Sequence, residues 1–167
     1  MARYLGIPVL LLAAMLNATL MAEFRLAHGA PDLVFLLVVS WALLANTRDA
    51  LFWAVVGGVL QDLFSIAPLG TSALGLVVVV FLADVLFGQI SPRNILIPLA
   101  VAAFGTLIDH LLILFTLRAT GTFVPLQRGL LYVTVPTLLY NLLLILPVFH
   151  IVGRVHTWLS PRRVRLD

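Results

Sequence analysis

Gly57-Gly58-Val59-Leu60-Gln61-Asp62-Leu63-Phe64-Ser65-Ile66-Ala67-Pro68-Leu69-Gly70 is the stretch that decides how this chain folds. A glycine-bearing apolar helix runs into a carboxylate. The chain then turns through Pro68-Leu69-Gly70 and re-enters another apolar helix. Pro68 sets the turn, and Gly70 permits close approach where the two helices meet. Asp62 is thereby brought near the first amides of the following helix, where a negative charge is favoured.

Outward from this corner the chain stays apolar. Of 167 residues, 62% are hydrophobic and 10% charged, with a mean hydropathy of +1.15. A water-facing domain is typically about a quarter charged. A chain this poor in charge reads as an integral membrane protein, and a lipid bilayer is its expected surrounding. A spanning helix needs roughly 20 apolar residues, with about 17 as the lower bound. Candidate spans are residues 4–22, 32–46, 50–64, 69–87, 95–117 and 130–152. The second and third are short and flank a tight polar turn at Asn46; one bent element, giving five spans, is the alternative to six. The first apolar run is longer than a typical signal-peptide core, which favours a retained helix. The fold class expected is therefore all-α: residues 1–153 form a bundle of about six transmembrane helices, and residues 154–167 form a basic cytoplasmic tail.

All ten basic residues are arginines, and they exceed the seven acids by three. Their scatter does not suit a nucleic-acid groove. It suits membrane orientation. With the N-terminus inside, Arg3, Arg48, Arg93, Arg154, Arg162, Arg163 and Arg165 lie on the cytoplasmic side, and Arg25, Arg118 and Arg128 outside. Both termini are then cytoplasmic. The tail, with Trp158 among its arginines, is either an interfacial anchor on anionic lipid or a topology determinant alone. Absence of cysteine excludes disulfides and thiol chemistry, and no cofactor is expected.

Ionisable groups inside hydrocarbon cost at least ~2.5 kcal/mol each, so each calls for a reason. Asn17, Asp62 and Asp109 lie about 18–21 Å from the cytoplasmic face at 1.5 Å per residue, with His110 beside Asp109 and Asn141 also at depth. This polar layer has three readings. It organises helices, with Asp62 capping a helix or bonding to Asn17 or His110; it binds a ligand or partner; or, least favoured, it performs acid–base catalysis. Ala14, Ala18 and Ala22 recur at four-residue spacing and form a candidate partner face. The asparagine-flanked aspartates of lipoprotein signal peptidases and the Gly-x-Gly-Asp pattern of intramembrane aspartyl proteases are missing, and an enzyme is not expected.

The Gly57, Gly58 helix leading into Asp62, Leu63, Ser65, Pro68, Leu69 and Gly70 resembles the signature of the rod shape-determining MreD family. Phe64 replaces a leucine of that pattern, and Ile66 stands where the family has glycine. The resemblance implies a non-enzymatic scaffold of the bacterial cell-elongation (rod) complex in the cell inner membrane. It also implies binding to MreC, and coupling of MreB filaments to peptidoglycan synthesis by RodA and a class B penicillin-binding protein. It further implies a fold similar to the substrate-binding subunits of energy-coupling-factor vitamin transporters. Such a transporter subunit is the alternative function.

Overall fold

A computed structural model describes residues 2–19, 23, 29–65, 67–88, 94–121 and 126–159. Six helices run up and down: α1 (Ala2–Ala18), α2 (Leu33–Leu44), α3 (Thr47–Leu63), α4 (Thr71–Phe87), α5 (Leu96–Ala119) and α6 (Val135–Leu159). A short turn, Leu126–Gly129, and a π-helical segment, Leu130–Thr134, lead into α6. The π-helical segment is placed where Pro136, in the first turn of α6, has no N–H to give to a preceding carbonyl. No strand occurs among the described residues.

The Asn46 turn separates α2 from α3 as two helices and does not bend one. Asn46 has extended backbone, and its side-chain oxygen accepts from the Asp49 N–H at 2.9 Å, capping α3. The single bent element considered from the sequence is thus replaced by two capped helices.

Helix α2 is the central post. Val34, Phe35, Leu36, Val38, Val39, Ser40 and Trp41 are all buried, and the helix packs against α1, α3, α4, α5 and α6. A helix that is apolar all round has no preferred outer face, so it takes the middle. The surrounding helices present apolar side chains outward, including Leu12 on α1, Leu74 and Phe81 on α4, Phe104 and Phe115 on α5, and Leu143 on α6. A protein in water would bury many of these; in lipid they need no cover.

Length divides the helices. Those long and apolar enough to cross a membrane are Leu96–Ala119 and Leu130–Trp158 among the described residues. Gly6–Ala18, Leu33–Leu44 and Thr71–Phe87 are apolar but shorter. The 12 residues of α2 rise about 18 Å, well short of a hydrocarbon core of about 30 Å. Among the described residues, α5 and α6 are clearly long enough to span, and α1, α3 and α4, at 17 residues each, stand at the lower bound. The last helix runs past residue 153 to Leu159, while residues 160–167, including Arg162, Arg163 and Arg165, lie outside the described residues.

Candidate functional site: a polar lattice at one end of the bundle

The ends of α1, α3 and α5 meet the starts of α2, α4 and α6, and most of the buried polar side chains, Ser40 apart, gather toward this end of the bundle. Asp32 is at its centre. It is the N-cap of α2, and its Oδ1 accepts from the Phe35 N–H at 3.0 Å. The same oxygen accepts from Asn17 Nδ2 of α1 at 2.9 Å, and Oδ2 accepts from Gln61 Nε2 of α3 at 2.7 Å. Asn17 Oδ1 in return accepts from the Leu33 N–H at 3.0 Å.

Asn141 extends the lattice to α6 and α5. Its Oδ1 accepts from the Asp32 N–H at 3.1 Å, and its Nδ2 donates to Thr106 Oγ1 at 3.0 Å. Thr106 then donates to the Ala102 carbonyl at 2.7 Å. One carboxylate, three amide side chains and the Thr106 hydroxyl thereby connect five helices. Helix α4 is attached by the corner: Asp62 Oδ2 accepts from the Gly70 N–H at 2.7 Å, and both its oxygens accept from the Ser72 N–H at 3.1 and 3.2 Å. Asp62 is 2% exposed, so these amides substitute for the water it lacks. Gly70 has φ +96°, a backbone region that side chains resist. Gly58 lies where an added Cβ would overlap the Ala73 backbone, so the approach of α3 to α4 depends on its missing side chain.

The residues singled out in the sequence fall into separate groups. Asn17 pairs with Asp32, not with Asp62. His110 Nδ1 lies 3.1 Å from Thr134 Oγ1 in the π-helical segment. Asp109 is 3% exposed and is set against Gly75 of α4; its Oδ1 has no hydrogen-bond partner among the described residues. Ser65 Oγ accepts from the Ala67 N–H at 3.0 Å inside the turn, and the Pro68 carbonyl accepts from Thr71 Oγ1 at 2.7 Å. Leu69 is exposed. On α1, Ala14 is buried in the core at 1% while Ala18 is exposed; Ala22 lies outside the described residues. The Ala14–Ala18 row is therefore divided between internal packing and an open surface.

Asp32, Gln61 and Thr106 are the members that reading the sequence passed over. Asp32 had a signal: an aspartate directly before an apolar run is an N-cap pattern. Gln61 had none, being a neutral residue beside a more conspicuous aspartate.

A cleft of about 560 Å³ opens on this lattice. Asn17, Asp32, Gln61 and His110 supply its polar wall, and Ala14 and Ala18 its small-residue edge. Asp62 and Asp109 do not line it. Its volume is that of a small-molecule site, and its polar wall offers carboxylate, amide and imidazole groups to a ligand or partner side chain. Among the described residues no group of three or more metal-ligating side chains converges.

A family model described as rod shape-determining protein MreD matches residues 1–155. The chain belongs to the MreD family. Its function is therefore in rod-shape determination, and MreD proteins are membrane proteins, in keeping with the two long apolar helices. The match takes in the first five helices, most of α6 and the whole polar lattice. No curated protein and no solved structure matches the chain.

Proposed function

We propose that this MreD protein is a non-enzymatic scaffold of the rod complex. In this reading it holds the single-span protein MreC and, through it, couples MreB filaments to peptidoglycan synthesis by RodA and a class B penicillin-binding protein. It crosses the inner membrane six times, with both termini in the cytoplasm. The observation that carries the reading is the family match over residues 1–155. The corner supports it: Asp62 has both oxygens engaged by backbone N–H groups of Gly70 and Ser72, a structural use of a buried acid. Exposed Ala18, at the edge of the cleft, is the part of the α1 small-residue row open to a partner helix.

Extraction from the native host followed by mass spectrometry of bound chains tests this. A single-span partner is expected at stoichiometric yield, with Ala18→Leu reducing it while the protein itself stays monodisperse. A chain recovered alone from its own host, or a deletion strain that keeps its rod shape, counts against the reading.

The cleft favours a second reading, a substrate-binding membrane subunit of a vitamin transporter of the energy-coupling-factor type. Its volume and its wall of Asn17, Asp32, Gln61 and His110 suit a polar small molecule. A vitamin co-eluting with the purified chain, and absent from Asp32→Asn, would support this reading over the scaffold.

A further inference from the structure

A second recess lies at the opposite end of the bundle, where α2 ends and α6 runs on beyond it. Gly153 and Arg154 lie three and four residues after His150, and Thr157 lies four and three residues after them, so the four share a face of α6. With Leu44 of α2 and Phe149 they line a groove of about 330 Å³. The floor is apolar, formed by Leu44 and Phe149. Gly153 faces Leu44 across the groove: a Cβ added there would stand in ordinary contact, 3.9 Å from Leu44 Cδ1, and a longer side chain would enter the groove.

The rim is different in kind. His150, Arg154 and Thr157 are all exposed, and no carboxylate is among the groove's lining residues. Thr157 Oγ1 donates its proton to the Arg154 carbonyl at 2.9 Å, within the helix. Trp158, next along the helix, is 81% exposed, as expected of an indole at a membrane–water boundary. His156, also at the groove, is held edge-on against Trp41 with centroids 5.3 Å apart.

An apolar floor under a cationic rim, at the end of a long apolar helix, is complementary to one class of molecule. The geometry points to a binding site for an anionic phospholipid. One acyl chain lies along Leu44, Phe149 and the gap over Gly153, and the phosphate faces Arg154 and His150. A guanidinium gives a phosphate two parallel hydrogen bonds. An anionic headgroup brings no cation of its own against that guanidinium, whereas phosphatidylcholine does. This site is on the far side of the bundle from the polar cleft and does not depend on which partner the protein holds.

The experiment is native mass spectrometry of the full-length protein in detergent, titrated with dioleoylphosphatidylglycerol, dioleoylphosphatidylcholine or inorganic phosphate. Phosphatidylglycerol is expected to bind more tightly than phosphatidylcholine. Arg154→Gln should weaken it about fivefold, the effect of about 1 kcal/mol for one basic residue at an anionic surface. Gly153→Leu fills the groove without changing charge and should weaken it at least as much. Arg48 is exposed at the start of α3, at the same end of the bundle but outside the groove, so Arg48→Gln should change binding less than twofold. Equal losses from Arg48→Gln and Arg154→Gln would overturn the proposal in favour of general surface charge. Equal binding of the two lipids would overturn it as well, and so would displacement of phosphatidylglycerol by inorganic phosphate with Gly153→Leu indifferent. Should Gly153→Leu fail to fold, the two arginine variants decide the matter alone.

Discussion

The two ends of this bundle are held together by different physics. At the end bearing the Asp62 corner, helices are joined by hydrogen bonds between side chains far apart in sequence: Asn17 to Asp32, Gln61 to Asp32, and Asn141 to Thr106. At the end bearing the Asn46 turn, Trp41 and Trp53 stack with centroids 4.3 Å apart and planes within 1°. Gly6 of α1 is pressed against the Trp53 indole, with no room for a side chain between them. The hydroxyl of Ser40 and both indole N–H groups are buried there without a partner among the described residues. One end is joined by directional bonds that specify which helix meets which. The other is joined by close packing of large rings, which fixes distance more than identity. Lipid offers no hydrophobic preference for one helix neighbour over another, so directional bonds are the stronger source of specificity here.

Substitutions at the two ends should therefore separate by size. Asp32→Ala should be the most damaging, because it removes the acceptor for three donors on three helices and leaves two amide groups unpaired. A loss of about 3 kcal/mol or more is expected from several charge-assisted bonds. It would be read as collapse of the monodisperse peak in fluorescence-detected size exclusion. Asp62→Ala should follow at about 1–2 kcal/mol, the typical cost of losing a helix cap. Asp62→Asn should recover part of that, since one oxygen still accepts; equal damage from both would mean that the charge, and not the acceptor geometry, matters there.

Asp109 tests the limits of the pattern, being buried at the polar end yet unpartnered at Oδ1. Gly75→Ala should be destabilising by about 1 kcal/mol, because the new methyl meets that oxygen. In an Asp109→Ala background the cost should vanish, and a thermal-stability double-mutant cycle measures the coupling. Additive effects would show that Asp109 does not constrain the α4–α5 contact. The smallest change is expected at the other end. Thr47 Oγ1 donates to Asp84 Oδ1 at 2.8 Å on an exposed surface, and Asp84→Ala should shift stability by less than about 0.5 kcal/mol. A loss as large as that of Asp62→Ala would erase the distinction between the ends.

How much of this was legible in the sequence differs residue by residue. The corner was, because its chemistry is local: Asp62 meets Gly70 and Ser72 across one short turn, and Pro68 and Gly70 announce that turn. The polar layer was legible as a set of residues and not as a set of bonds. Asn17 stands near the depth of Asp62, but its partner is Asp32, on the helix that occupies the middle. Ala14 and Ala18 share a spacing and not an environment, since only Ala18 is open.

Membrane character, an all-helical chain and the turn at Asp62 follow from amino-acid types alone, since each rests on composition or on residues within about one turn of one another. The choice of α2 as the post and of Asp32 as the junction of α1, α2 and α3 came only with tertiary structure, as did the cleft beside that junction. In water, an apolar stripe tells which side of a helix faces inward. In a bilayer both sides are apolar, that cue is lost, and only the packed arrangement of the six helices shows which side chains meet.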